Sequence, residues 1–108
     1  MVQQITVEEL DGRLRAGEPV YLLDVRKEWE HETAALPGSV LIPLDELPSR
    51  VDEIRVPEGA LFVVYCHHGV RSLSAAALLE GLGLPGAASL RGGIGAWSRM
   101  IDPALPRY

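Results

Sequence analysis

Apolar residues in this chain fall into short unbroken runs, separated by longer stretches with helical spacing. The runs are Val20–Val25 (VYLLDV), Val40–Ile42, Ala60–Tyr65 (ALFVVY) and Ala87–Leu90. Each is apolar at consecutive positions rather than at every second one, the pattern of strands covered on both faces. The stretches between them predict helices. Thr6 and Glu9 have capping-box spacing ahead of Val7–Ala16, and Gly17 stops that segment. Lys27–Thr33 is charged and predicts a short surface helix. Leu44–Arg55 carries Leu47, Val51 and Ile54 at helical spacing, with Pro48 either in the first turn or breaking it. Ser72–Leu82 is rich in Ala and Leu and is stopped by Gly83 and Pro85; Ile94–Ile101 carries Trp97. The closing DPALPRY has two prolines and predicts a packed extended arm or a frayed end. Strands alternating with helices predict an α/β domain, a parallel central sheet of about five strands with helices on both faces. In such sheets ligands gather at the carboxyl ends of the strands.

Size and composition narrow the class. A length of 108 residues fits one domain spanning 1–108. At 47% hydrophobic and 23% charged, the chain can bury a core as an ordinary globular protein does. A single cysteine makes no intramolecular disulfide, which excludes a stapled secreted domain. The start, MVQQITVEEL, lacks the basic and apolar regions of a signal peptide. No apolar stretch approaches the roughly 18–20 residues of a membrane span. A cytoplasmic location and no membrane partner are therefore expected. The net charge is −5 and the ten cations are scattered, which excludes the basic stripe of a nucleic-acid binder.

The one thiol, Cys66, stands at the end of the most apolar and β-branched run, in FVVYCHHGVRSLS. A strand there feeds a tight loop, Cys66–Arg71, and then a helix starting near Ser72. Converging loop amides and the helix N-terminus favour a thiolate over a thiol. Gly69 supplies the backbone freedom that a tight ring needs. Arg71 offers a permanently charged fork for an oxyanion, and Ser72 can cap the helix or donate toward the sulfur. Two other readings of the same letters are a small packing cysteine and a metal site built on Cys66, His67 and His68. Packing needs none of these neighbours. Consecutive loop residues diverge, and zinc ligands are normally two to four residues apart, so no metal is expected.

Taken together, these motifs resemble the rhodanese-like sulfurtransferases over almost the whole chain. Leu22-Leu23-Asp24-Val25-Arg26 resembles the family's LDVR strand end, followed by Glu30 and Leu36-Pro37-Gly38-Ser39. Ile42-Pro43-Leu44 resembles the next element, Cys66–Ser72 the active loop, and Ala75, Ala76 and Leu79 the helix after it. Leu90-Arg91-Gly92-Gly93 through Trp97 resembles the closing L-x-G-G-x-x-x-W. The resemblance implies a rhodanese-like fold and a sulfurtransferase without a cofactor. Cys66 would be the nucleophile, with His67, His68, Gly69, Val70, Arg71 and Ser72 as the loop that holds a Cys66 persulfide. Sulfane sulfur would pass from thiosulfate or a similar donor to cyanide or a thiol, in two steps. A protein donor or acceptor is an alternative, as is a regulatory binding module. The chain departs from the family in having Ala34 and Ala35 where Gly-His is common. It also has His67 and His68, whose reference pKa values lie near 6.5, where some thiosulfate-using members carry a fixed cation.

The remaining candidates divide similarly. Cysteine-dependent phosphatases and arsenate reductases place five residues between cysteine and arginine, whereas four stand here, favouring sulfur. Asp24 and Arg26 end a strand on the candidate edge. Either they support catalysis, or Asp24 accepts backbone N–H bonds and Arg26 pairs with Glu30, and the second role is the simpler. Arg91 is a candidate pocket-lining residue or a surface cation. Gly81–Gly86 matches G-x-G-x-x-G but follows a helix and precedes a strand, the reverse of a dinucleotide site. His31 is expected to be solvated, and Trp29 and Trp97 to be packing residues.

Overall fold

The computed structural model describes residues 2–108. Five strands form one sheet: β1 (Gln3–Ile5), β2 (Val20–Asp24), β3 (Val40–Leu41), β4 (Leu61–Tyr65) and β5 (Ala88–Leu90). Their order is β1-β5-β4-β2-β3, and every pairing is parallel. Five helices accompany them: α1 (Val7–Arg15), α2 (Glu28–Thr33), α3 (Leu47–Arg50), α4 (Val70–Gly81) and α5 (Gly93–Met100). None is long and apolar enough to cross a membrane, among the described residues.

The unbroken apolar runs are explained by the layers. Along β4, Phe62 and Val64 face one cluster with Ala75, Ala76 and Leu79 of α4 and Leu47 of α3. Val63 and Tyr65 face the other, with Val7 and Leu10 of α1 and Ile94 and Trp97 of α5. Both faces of the central strands are thus covered, so alternation between polar and apolar residues disappears. The capping box of α1 forms as its spacing predicts: Glu9 N–H donates to Thr6 Oγ1 at 3.1 Å.

Three expectations are revised. Gln3–Ile5 is a strand that the polar Gln3 and Gln4 conceal; it pairs with β5, at the sheet edge. Leu44–Arg55 is not one helix but 3₁₀ turns around α3, with Pro48 in its first turn. α4 begins at Val70 rather than Ser72, because Gly69 at φ +98° serves as its N-cap. The closing segment is packed: Leu105 and Tyr108 lie against the α1/α5 core cluster.

Candidate active site

Strand β4 ends at Tyr65, so its pleat aims the thiol of the next residue. Cys66 continues the Phe62–Val64 series into the α4 layer and is only 1% exposed. The chain then folds back around the sulfur. Gly69 N–H donates to Sγ at 3.1 Å, and Ser72 N–H donates at 3.4 Å. Ser72 Oγ lies 3.5 Å from Sγ and 2.7 Å from Ser89 Oγ on β5. Both serines are fully buried. None of these hydrogen-bonding partners is charged, so the sulfur is met by oriented amide and hydroxyl dipoles.

The loop is held from behind by α5. Ile94 and Gly95 N–H donate to the Cys66 and His67 carbonyls, each at 2.9 Å. Free N–H groups of the first turn of α5 thereby become the support of the loop. Gly93, at φ +60°, makes that approach possible: a Cβ there would stand 2.4 Å from both carbonyl oxygens.

Charged groups form a second layer outside the ring. Arg71 donates twice to Glu30, at 2.7 and 2.9 Å. Glu30 is buried and also accepts from Lys27 N–H at 3.0 Å and Tyr108 OH at 2.9 Å. The Arg71 hydrogen bonds lead in holding its carboxyl down to about 2. Asp24 and Arg26, both wholly buried, form a bidentate pair at 2.9 and 2.8 Å. Asp24 also accepts from Arg26 N–H at 3.0 Å and from Tyr65 OH at 3.2 Å. Arg26 reaches the Ala34 carbonyl and the Tyr108 hydroxyl as well. Burial pushes that hydroxyl up to about 12, so it remains a donor to Glu30. The His67 ring is sandwiched between His68 at 4.0 Å and Tyr108 at 4.1 Å. Burial first, then His68 and the nearby guanidiniums, lower its proton affinity below that of an ordinary imidazole.

A thiol in a short amide ring between a parallel strand and a helix finds its counterpart among known proteins. Residues 6–100 match the rhodanese-like domain. The chain belongs to that family. A rhodanese-like domain protein from Staphylococcus aureus has the same fold, with a TM-score of 0.81 and 30% identity over 98% of both chains. A sulfurtransferase of Allochromatium vinosum is 38% identical over 99 residues, 92% of this chain and 91% of that protein. The probable adenylyltransferase/sulfurtransferase MoeZ of Mycobacterium tuberculosis is 35% identical over 104 residues. This chain spans 26% of that protein's length. The five-stranded parallel sheet with helices on both faces is thus a rhodanese-like fold, and the relatives are sulfurtransferase domains.

Within this rhodanese-like domain the candidate residues separate. Cys66, Gly69 and Ser72 converge on the sulfur, whereas Val70 is 71% exposed and turns away from it. Arg71 does not present a free fork, because Glu30 occupies it. Arg26 pairs with Asp24 and not with Glu30, since the strand end places its head group inside the core. Arg91 is exposed and reaches Gln4 at 3.4 Å, away from the thiol. His31 is not free in solvent: its Nδ1 lies 2.8 Å from Asp24 Oδ2. Trp97 packs in the core as expected, but Trp29 is 57% exposed and stands edge-on to Tyr108. Sequence reasoning missed Ser89, Tyr65 and Tyr108. Ser89 lies in a run too short to show a pattern, and Tyr108 sits in a tail whose course no local signal gives.

Two cavities flank the loop, and Cys66 lines neither. One of about 630 Å³ lies beyond the carboxyl ends of β2 and β3, among Val25, Lys27, Leu44 and Asp45, and meets the loop only at Arg71. The other, of about 230 Å³, opens on His67 and His68.

Proposed function

We propose that residues 1–108 act as one domain that carries a sulfane sulfur on Cys66, taking it from thiosulfate or a similar donor and passing it to cyanide or a thiol. The observation that carries this reading is the uncharged ring of Gly69 N–H, Ser72 N–H and Ser72 Oγ around Sγ. Such a ring holds a thiolate, and the persulfide anion made from it, without trapping either as a tight ion pair. The thiolate attacks the outer sulfur of thiosulfate. The S–S bond breaks and its electron pair leaves with sulfite, giving a Cys66 persulfide. An acceptor nucleophile then attacks the outer sulfur, and the second S–S bond returns its electron pair to Cys66. Thiocyanate or an acceptor persulfide leaves.

Arg71, the group that would grip a tetrahedral phosphate, is engaged by Glu30, which supports sulfur over phosphoryl chemistry. A carrier role toward a protein partner is the second reading. It is favoured by the match to about a quarter of MoeZ, in which a domain of this kind sits within a larger sulfurtransferase. Intact mass after incubation with thiosulfate tests the first reading: one sulfur atom is gained, and cyanide removes it. A Cys66→Ser protein that still gains the sulfur overturns the assignment. Loading by a protein persulfide donor, with none by thiosulfate, selects the carrier.

A further inference from the structure

Half of the ten Lys and Arg side chains of this chain pair with its own carboxylates among the described residues. Arg13, Arg15, Arg26, Arg50 and Arg71 all form ion pairs. Arg99 and Arg107 form none among the described residues, and both are exposed. They line the same cavity of about 230 Å³, together with His67, His68 and Tyr108. No side-chain carboxylate lines it. Two of its nitrogens converge over one backbone position: a Cβ built on Gly95 would stand 3.5 Å from both Arg99 Nη1 and His68 Nδ1. Glu30, whose charge acts on His67, is occupied by Arg71 and Tyr108. In a chain of net charge −5, this cavity gathers two guanidiniums without a salt-bridge partner among the described residues, beside the residues that follow the thiol.

Resting on the sulfur-transfer reading above, we propose that this cavity is an acceptor subsite, in which Arg99 and Arg107 hold the carboxylate of a small anionic thiol while its sulfur approaches Cys66 across His67 and His68. A guanidinium fork matches a carboxylate in shape as well as in charge. The volume lies below the roughly 300–1,000 Å³ that holds a drug-sized ligand, which limits the acceptor to a small molecule. Thiosulfate has its reacting sulfur directly on its anionic group and needs no cavity displaced from the thiol. An acceptor with a few bonds between thiol and carboxylate does.

The test compares kcat/KM for mercaptosuccinate, a thiol dicarboxylate, with that for neutral 2-mercaptoethanol, using protein preloaded with sulfur. Arg99→Gln and Arg107→Gln each lower the ratio about two- to fivefold, as the loss of a partly exposed charge contact implies. Arg55→Gln, an exposed arginine outside the cavity, leaves the ratio unchanged. High salt compresses the ratio in the native protein and not in the double variant. A ratio indifferent to Arg99 and Arg107 overturns the proposal. So does a loss confined to the loading step, which would make the cavity a donor site. A protein that no donor loads defeats the transfer reading, and the subsite is then decided by binding. Mercaptosuccinate moves the His67 and His68 imidazole resonances in Cys66→Ser protein, and the Arg99→Gln/Arg107→Gln change abolishes the movement. Resonances that stay fixed refute the subsite independently of any activity.

Discussion

The two sides of the 66–72 loop are built on opposite principles. Inside, the sulfur meets amide and hydroxyl dipoles, all buried and all neutral. Outside stand full charges and aromatic rings: Arg71 pairs with Glu30, His67 lies between His68 and Tyr108, and the Arg26–Asp24 pair holds the Tyr108 hydroxyl. Amide and hydroxyl dipoles can solvate charge on sulfur without a counter-ion fixed in one place. Charged pairs serve better outside, where they fix loop position and take no part in bond making. The difference teaches that the arginine of this loop is a brace in the resting protein, although its sequence position suggests a ligand for an oxyanion.

The contrast makes graded predictions. The largest concerns the deepest brace. Asp24→Asn leaves Arg26 buried without its counter-charge and is expected to lower unfolding free energy by about 3–5 kcal/mol in a urea titration. Next comes the junction of the two sides. Gly93→Ala forces a Cβ onto two carbonyl oxygens at a left-handed φ, with a cost on the order of 2–5 kcal/mol. Its effect exceeds that of Gly81→Ala, where nothing lies within 4 Å of the added carbon.

A pair of substitutions then divides inside from outside. Ser72→Ala removes a hydroxyl beside the sulfur and is expected to slow sulfur loading about tenfold. Glu30→Gln is expected to cost about 1–2 kcal/mol in stability while loading stays within about threefold of native. Loading that is slower in Glu30→Gln than in Ser72→Ala breaks the comparison. The smallest effect is in pH. The Glu30 carboxyl falls from 4.5 to about 2 on folding, so its contribution is complete above about 4.5 and is lost as pH drops toward 2. His67 adds in the same direction: folding favours its neutral ring, so that term is complete above about 6.5 and declines below it. The Glu30→Gln protein should show a flatter acid limb of stability against pH, read by thermal melts.

Much of this was legible in the order of residues. The runs at Val20, Ala60 and Ala87 are strands because both faces are covered, and continuity of apolar residues signals that directly. The Cys66 loop and its glycine were legible because a strand, a tight ring and a helix start each leave local marks. What stayed hidden depends on contacts across the chain. Gln3 and Gln4 carry no apolar signal, and pairing with β5 makes them a strand. Arg71 and Glu30 stand 41 residues apart, and Arg26 and Tyr108 stand 82 apart. No spacing rule reaches that far. The histidines read as stand-ins for fixed cations, yet burial, and after it His68 and the nearby guanidiniums, holds His67 toward its neutral form.

The support that α5 gives to the loop also sets an order of events in time. The carbonyls of Cys66 and His67 are secured by residues 94 and 95, and Ser72 is secured by Ser89. A growing chain that has made Cys66 still lacks every one of these partners. The ring around the sulfur is therefore completed only when the last strand and the last helix arrive, and β1 waits for the same β5 to find its own place. Until then the thiol is an ordinary side chain at the end of an unfinished sheet. The surroundings of the sulfur are thus a property of the assembled sheet and helices rather than of the 66–72 segment alone.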